Sequence, residues 1–136
     1  MLLKTIKLFV ISFLIFIFLD LFWLGFLGKP IYHFYLQDFL RSSPLWTAAI
    51  TFYFFFIIGL IIFVINPAVS KKDYRYASIM GSCYGFITYM TYELTNLAVI
   101  DGWPFGIVLI DIAWGTFLCA FISLFTTILY LKFFSS

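Results

Sequence analysis

Four long runs of apolar residues, separated by short polar stretches, dominate the pattern along this chain. They lie at about 6–27, 46–65, 76–99 and 105–131. Each run is close to the ~20 residues that a helix needs to cross the hydrocarbon core of a bilayer. None of them alternates apolar and polar positions as a half-buried strand does. The pattern therefore predicts an all-α membrane protein: a bundle of four transmembrane helices in a single domain, residues 1–136.

The connections between the runs predict the remaining elements. Pro30 can open a helix, and the residues that follow it are too aromatic for a free loop. We therefore predict a short interfacial helix at 30–41, lying in the plane of the membrane. Asn66-Pro67 is expected to end the second span, because proline cannot continue a regular helix. The tight turn at 101–104 should make the third and fourth helices antiparallel neighbours.

Composition strengthens the membrane assignment and excludes one class of partner. The chain is 65% hydrophobic and 10% charged, whereas soluble domains are roughly 45–50% apolar and about 25% charged. So short a chain cannot hide this excess in a core, because small domains keep much of their surface exposed. The lipid bilayer is therefore the expected surrounding of most side chains. A net charge of +2, with no basic stripe, argues against nucleic acid as a partner.

The distribution of basic residues predicts the orientation. Six of the eight Lys and Arg residues belong to the N-terminus, the second connection and the C-terminus, which four helices place on one side: Lys4, Lys7, Lys71, Lys72, Arg75 and Lys132. The opposite side has only Lys29 and Arg41. By the positive-inside rule, both termini should be cytoplasmic in a multi-pass protein.

Three of the six acidic residues, Asp20, Glu93 and Asp111, fall in the interior of the predicted spans, whereas no Lys or Arg lies farther into a span than Lys7, at the start of the first. At ~1.5 Å rise per residue, all three lie roughly 8–9 Å below the outer boundary. A charge at the bilayer centre costs about 2.5–3.5 kcal/mol on insertion scales. Either some of these carboxyl groups are protonated or a cation lies among them. A third alternative is that Arg41 or His33 reaches down from the aromatic connection.

Helical spacing adds aromatic and amide neighbours to this acidic layer. Tyr89 and Asn96 share the helix face of Glu93, at four and three residues. An Asp-x-x-Trp pattern occurs twice, at residues 20–23 and 111–114, on helices that run in opposite directions; it suggests a weak inverted repeat. The expected ligand-binding residues are Asp20, Trp23, Tyr53, Tyr89, Glu93, Asn96, Asp111 and Trp114. Trp46 and Trp103, at span ends, are expected to be interfacial anchors.

These residues leave several functions open. The acidic layer could be a structural polar network, or it could bind or transport a cation, a proton or the ammonium head of an amphipathic molecule. Paired carboxyl groups could also serve acid–base chemistry on a lipid or isoprenoid. The protein could instead be a structural subunit of an oligomer or complex, with the small-residue pair Gly81/Gly85 packing on a partner or within the chain. No soluble-enzyme motif or Cys-His metal spacing is present, so the catalytic residues and cofactors, if any, remain unassigned.

One run of the sequence resembles a known family. It comprises YMTYELTNLA at residues 89–98, Gly102-Trp103-Pro104, and DIAWG at residues 111–115. These motifs are similar to the bacterial membrane proteins filed as domain of unknown function 2177, and the similarity covers nearly the whole chain. Glu93 departs from it, because the resemblance implies Asp there. The resemblance implies a four-helix protein of the bacterial inner membrane and supplies no activity, substrate or cofactor.

Overall fold

The computed structural model describes residues 1–135, and every regular element in them is helical. The α-helices are α1 (Leu2–Phe22), α2 (Lys29–Leu36), α3 (Trp46–Leu60), α4 (Asn66–Lys71), α5 (Tyr74–Val99) and α6 (Phe105–Leu129). Three π-helical turns extend or join them: Trp23–Leu27 follows α1, Ile61–Ile65 joins α3 to α4, and Tyr130–Phe134 follows α6. The prediction of an all-α fold is confirmed.

Three of these helical stretches are long and apolar enough to cross a membrane: Leu2–Leu27, Trp46–Lys71 and Phe105–Phe134. They correspond to the first, second and fourth predicted spans. The third predicted span coincides with α5, which has 26 residues. It is less apolar than the others because its C-terminal half carries Thr, Asn and Glu side chains. The count of four spans therefore stays a prediction.

The second helix does not end at Asn66-Pro67, so that prediction is wrong. Helical backbone continues through Pro67 to Lys71. Proline lacks an N–H group and its ring clashes with the carbonyl four residues earlier in a regular α-helix. The preceding turn, Ile61–Ile65, is π-helical. Its wider hydrogen-bonding pattern gives the backbone room to pass the proline ring.

The most extensive helix–helix contact joins α5 and α6, which form an antiparallel hairpin. Gly102 has a φ of 81°, a left-handed conformation that suits glycine in this tight turn. Within the hairpin, a Cβ atom added to Gly81 would lie 2.7 Å from the Cys119 carbonyl oxygen. A Cβ atom added to Gly85 would overlap the carbonyl of Gly115. The glycine pair is therefore used within the chain, and the alternative that it faces a partner is wrong.

Two contacts fix which segments share an end of the bundle. The Lys4 ammonium donates a hydrogen bond to Ser70 Oγ at 3.2 Å. The Lys7 ammonium donates to the carbonyl oxygen of Phe134 at 3.1 Å. The N-terminus, α4 and the C-terminal turn therefore meet at one end, the arrangement expected of four helices. At the opposite end, Leu36 of α2 packs with Trp103 of the α5–α6 turn and with Ile107 of α6.

Replacing Gly85 with alanine should destabilise the hairpin. The added methyl group meets backbone rather than a flexible side chain, so the two helices must separate. We expect the free energy of unfolding to fall by about 1–3 kcal/mol, the usual cost of overpacking. Thermal unfolding in a mild detergent, followed by circular dichroism, measures this change. The matched control is Gly25→Ala, where nothing lies within 4 Å of the added Cβ atom. Equal melting temperatures for the two variants would contradict this account of the hairpin.

Candidate functional site: an aromatic cavity with two aspartates

A cavity of about 380 Å³ lies among α1, α3, α5 and α6, and α2 contributes one residue to its wall. We call it the acidic cavity. Its lining consists of Asp20, Trp23, Leu24, Tyr32, Ala49, Phe52, Tyr53, Phe56, Thr88, Tyr89, Tyr92, Asp111 and Trp114. The side chains of Leu24, Phe52 and Tyr92 are 43%, 48% and 57% exposed. The cavity is therefore open at the side of the bundle, between these residues.

Asp20 lies in the last turn of α1, where its side chain is buried against α3. The Tyr53 hydroxyl donates a hydrogen bond to Asp20 Oδ2 at 2.8 Å. The edge of the Phe16 ring packs against the Tyr53 ring, with centroids 5.0 Å apart, and holds it in place. Both residues are among the expected ligand-binding residues, and the hydrogen bond shows that they meet.

Asp111, in the second turn of α6, is held by a residue that the sequence did not single out. The Tyr32 hydroxyl donates a hydrogen bond to Asp111 Oδ1, and Trp23 Nε1 donates to the Tyr32 oxygen at 2.9 Å. Burial raises the pKa of the Tyr32 phenol, and the nearby Asp111 raises it further. The phenol therefore remains a donor over the physiological pH range. His33 and Arg41, the expected partners from this connection, are both exposed.

The two Asp-x-x-Trp patterns meet face to face. The indole rings of Trp23 and Trp114 stack with centroids 4.5 Å apart and planes 10° from parallel. Trp23 reaches Asp111 through Tyr32, and Trp114 lies beside Asp20. The Trp114 Nε1 atom is buried and has no hydrogen-bond partner among residues 1–135. Each tryptophan thus lies close to the aspartate of the other pattern.

Glu93 lies behind the cavity wall rather than in it. Its side chain is fully buried and neighbours Asp111. The Trp103 Nε1 atom donates a hydrogen bond to Glu93 Oε1 at 2.9 Å, whereas Oε2 has no partner in the described part of the chain. Trp103 is only 9% exposed, so its prediction as an interfacial anchor is wrong. The turn that carries Trp103 folds it inward over α5 instead.

The remaining predicted site residues divide between the cavity and its surroundings. Tyr89 lines the cavity, and its ring lies on Gly115, where a Cβ atom would overlap it. Asn96 is half-buried and contributes nothing to the cavity wall. Sequence reasoning missed Phe52 and Phe56, although Phe56 lies one helical turn from Tyr53 and so shares its face. It also missed Tyr92, one residue before Glu93.

The arrangement combines negative charge with an apolar, aromatic wall. Asp20 and Asp111 each have one oxygen bound by a tyrosine hydroxyl and are 8% and 7% exposed. No basic residue is among those that line the cavity. Within residues 1–135, no group of three or more His, Cys, Asp or Glu side chains is placed to hold a metal ion. Carboxyl oxygens in such surroundings are groups that can accept a proton or attract a positive charge.

The comparisons with known proteins identify the family. A family model described as "Predicted membrane protein (DUF2177)" matches residues 5–128. No curated protein and no solved structure matches the chain. The matched range contains the motifs that carried the resemblance, together with every residue of the acidic cavity. The chain therefore belongs to the family of predicted membrane proteins filed as domain of unknown function 2177.

Proposed function

We propose that this is a small bacterial inner-membrane protein whose acidic cavity binds or transports a cation, a proton or a cationic amphipathic ligand. One observation carries the proposal. Asp20 and Asp111, from opposite ends of the sequence, line one cavity whose wall contains no basic side chain. Ionisable residues within membrane segments are costly and are usually functional. A positively charged ligand would offset the cost of holding two carboxyl groups there.

Among these ligands, the cavity favours an amphipathic molecule. Its volume of about 380 Å³ lies within the range of pockets that hold small organic ligands. A bare cation or proton would use the carboxyl groups and leave most of the apolar wall without a partner. The side opening at Phe52 and Tyr92 provides an apolar surface on which a hydrocarbon chain could lie. A cationic head among the aspartates and a chain at this opening would match both parts of the cavity.

The proposal includes four spans and cytoplasmic termini. α5 runs from the end of the bundle that contains the basic residues to the turn at the opposite end. Its 26 residues correspond to about 39 Å of helix, more than the ~30 Å hydrocarbon core. Gly81, Gly85 and Glu93 are buried inside the bundle. α5 can therefore cross a membrane although its average composition is less apolar.

Cysteine labelling in intact cells tests this topology. In a variant without Cys83 and Cys119, a single cysteine at Ser70 should be protected from a membrane-impermeant maleimide added outside. A single cysteine at Ser43 should react, because it lies in the connection on the outer side. Both positions are exposed, so burial in the protein does not explain a difference. Permeabilised cells provide the control, since both sites should then react. The reverse pattern in intact cells would contradict the orientation.

Ligand-induced stabilisation tests the binding site. Decylammonium, titrated into purified protein in a neutral maltoside detergent, should raise the melting temperature. A ligand at ~100 times its Kd stabilises the folded state by about 2.7 kcal/mol. Asp111→Asn should abolish this rise, because the amide retains the shape of the side chain and removes its charge. The control, Asp101→Asn, changes an exposed carboxyl group in the α5–α6 turn and should leave the rise unchanged. Equal stabilisation of both variants would reject the role of Asp111.

A second candidate function is acid–base chemistry on a lipid or isoprenoid. The observation that favours it is that Glu93 and Asp111 are adjacent carboxyl groups in a poorly solvated site. Glu93 Oε2 has no hydrogen-bond partner among the described residues. Two such groups can hold one proton between them and exchange it with a substrate. Lipid extracts from cells with and without the gene should then differ in one species. Complementation by Glu93→Gln should fail to restore it, and identical extracts would count against an enzyme.

A further inference from the structure

We propose that the head group recognised by the acidic cavity is a quaternary ammonium, and that its hydrocarbon chain leaves the cavity sideways between α3 and α5. This inference rests on the proposed function and specifies the class of its ligand. It is carried by three features of the cavity: how its carboxyl groups are hydrogen-bonded, how many of its walls are aromatic, and where it opens.

The hydrogen bonds of the carboxyl groups disfavour a primary ammonium. Tyr53 and Tyr32 already donate to Asp20 Oδ2 and Asp111 Oδ1, and the Tyr32 oxygen itself accepts from Trp23. Among the described residues, these bonds leave one oxygen of each aspartate, Asp20 Oδ1 and Asp111 Oδ2, without a hydrogen-bond donor. A primary ammonium has three N–H donors, each of which needs an acceptor when it leaves water. A quaternary ammonium has none, and so needs only the negative charge.

The aromatic wall supplies the second half of such a site. Eight of the thirteen lining residues are Trp, Tyr or Phe. Aromatic faces attract cations through the ring quadrupole, tryptophan most strongly, and aromatic cages bind quaternary ammonium groups in other proteins. The stacked pair Trp23/Trp114 places two indoles beside both aspartates. The acidic cavity thus combines negative charge with aromatic surface, and its volume is larger than a bare ion requires.

The opening of the cavity indicates where a chain would lie. α5 packs against the second long helix at its π-helical turn, Ile61–Ile65, and through the Tyr84 hydroxyl, which donates to the Phe56 carbonyl at 3.0 Å. Beyond that contact, Phe52 of α3 and Tyr92 of α5 line the cavity and are largely exposed. In a membrane this opening faces hydrocarbon tails. An amphipathic ligand can therefore place its head by the aspartates while its chain stays in lipid.

Binding of three probes to the purified protein in neutral maltoside detergent tests the proposal. They are decyltrimethylammonium, decylammonium and tetramethylammonium, followed by tryptophan fluorescence and melting temperature. We expect decyltrimethylammonium to bind about tenfold tighter than decylammonium, a difference of ~1.4 kcal/mol, because the three N–H donors of the primary ammonium outnumber the two carboxyl oxygens without a donor. It should also bind at least tenfold tighter than tetramethylammonium. If tetramethylammonium bound more tightly than decyltrimethylammonium, the ligand would be a quaternary ammonium without a hydrocarbon chain, and the proposed role of the chain would be overturned.

Matched variants assign the two halves of the site. Trp114→Leu should weaken decyltrimethylammonium binding about tenfold, and Trp114→Phe should weaken it less. The control is Trp46→Leu, which should not change binding because Trp46 lies outside the cavity and is 53% exposed. Phe52→Ala should weaken the decyl compound but not tetramethylammonium, whereas Phe55→Ala, on the lipid-exposed face of α3, should affect neither. Equal binding of the two decyl compounds, with loss in Asp111→Asn, would overturn the quaternary head and leave the proposed function standing. No binding of any probe would overturn both.

Discussion

The close approach of α5 to α6 at Gly85 determines how the buried polar groups of these two helices meet. The Gly85 α-carbon faces the Gly115 carbonyl so tightly that no side chain fits between them. One turn further along α5, the ring of Tyr89 covers Gly115, and another turn further Glu93 lies next to Asp111. A wider separation of the helices would leave a gap between the two carboxyl groups. Because they have no side chain, the glycines allow the two helices to pack closely, which brings the polar faces of both helices into contact, away from lipid.

The same constraint explains why so many aromatic hydroxyl and indole groups surround the carboxyl groups. Lipid cannot hydrogen-bond to a buried carboxylate, so the protein must supply the donors. Asp20 receives a donor from α3, Asp111 receives one from α2, and Glu93 receives one from the α5–α6 turn. Each donor is Tyr or Trp, whose ring packs in the apolar surroundings while its polar tip reaches the acid. The many aromatic residues of the chain thus supply hydrogen bonds to the buried carboxyl groups as well as apolar contact with lipid.

The sequence allowed the helices and the shared depth of the acids to be predicted because both follow from local rules. Apolar run length defines a membrane helix, and rise per residue predicts a similar depth for Asp20, Glu93 and Asp111. It did not allow Tyr32 and Trp103 to be predicted as donors, because their roles depend on how a connection and a turn fold back onto the bundle. The continuation of the helix through Pro67 depends on a π-helical turn, which no residue pattern in the preceding segment marks. Asn96 has the right spacing from Glu93, but the cavity does not extend that far along α5.

The meeting of the two Asp-x-x-Trp patterns has a geometric origin that does not require a repeat of the whole fold. The two helices run in opposite directions. A residue three positions after the aspartate therefore lies toward one end of the bundle on the first helix and toward the other end on α6. Trp23 is therefore displaced toward one end from Asp20, and Trp114 toward the other end from Asp111. This displacement separates the two α-carbons along the bundle, but helical side chains lean toward the N-terminus of their own helix, so the two indoles lean toward each other and stack with centroids 4.5 Å apart. The stack and its hydrogen bonds couple α1, α2 and α6. Displacement of either tryptophan would disturb the surroundings of both aspartates, so the cavity behaves as one unit built from both ends of the chain.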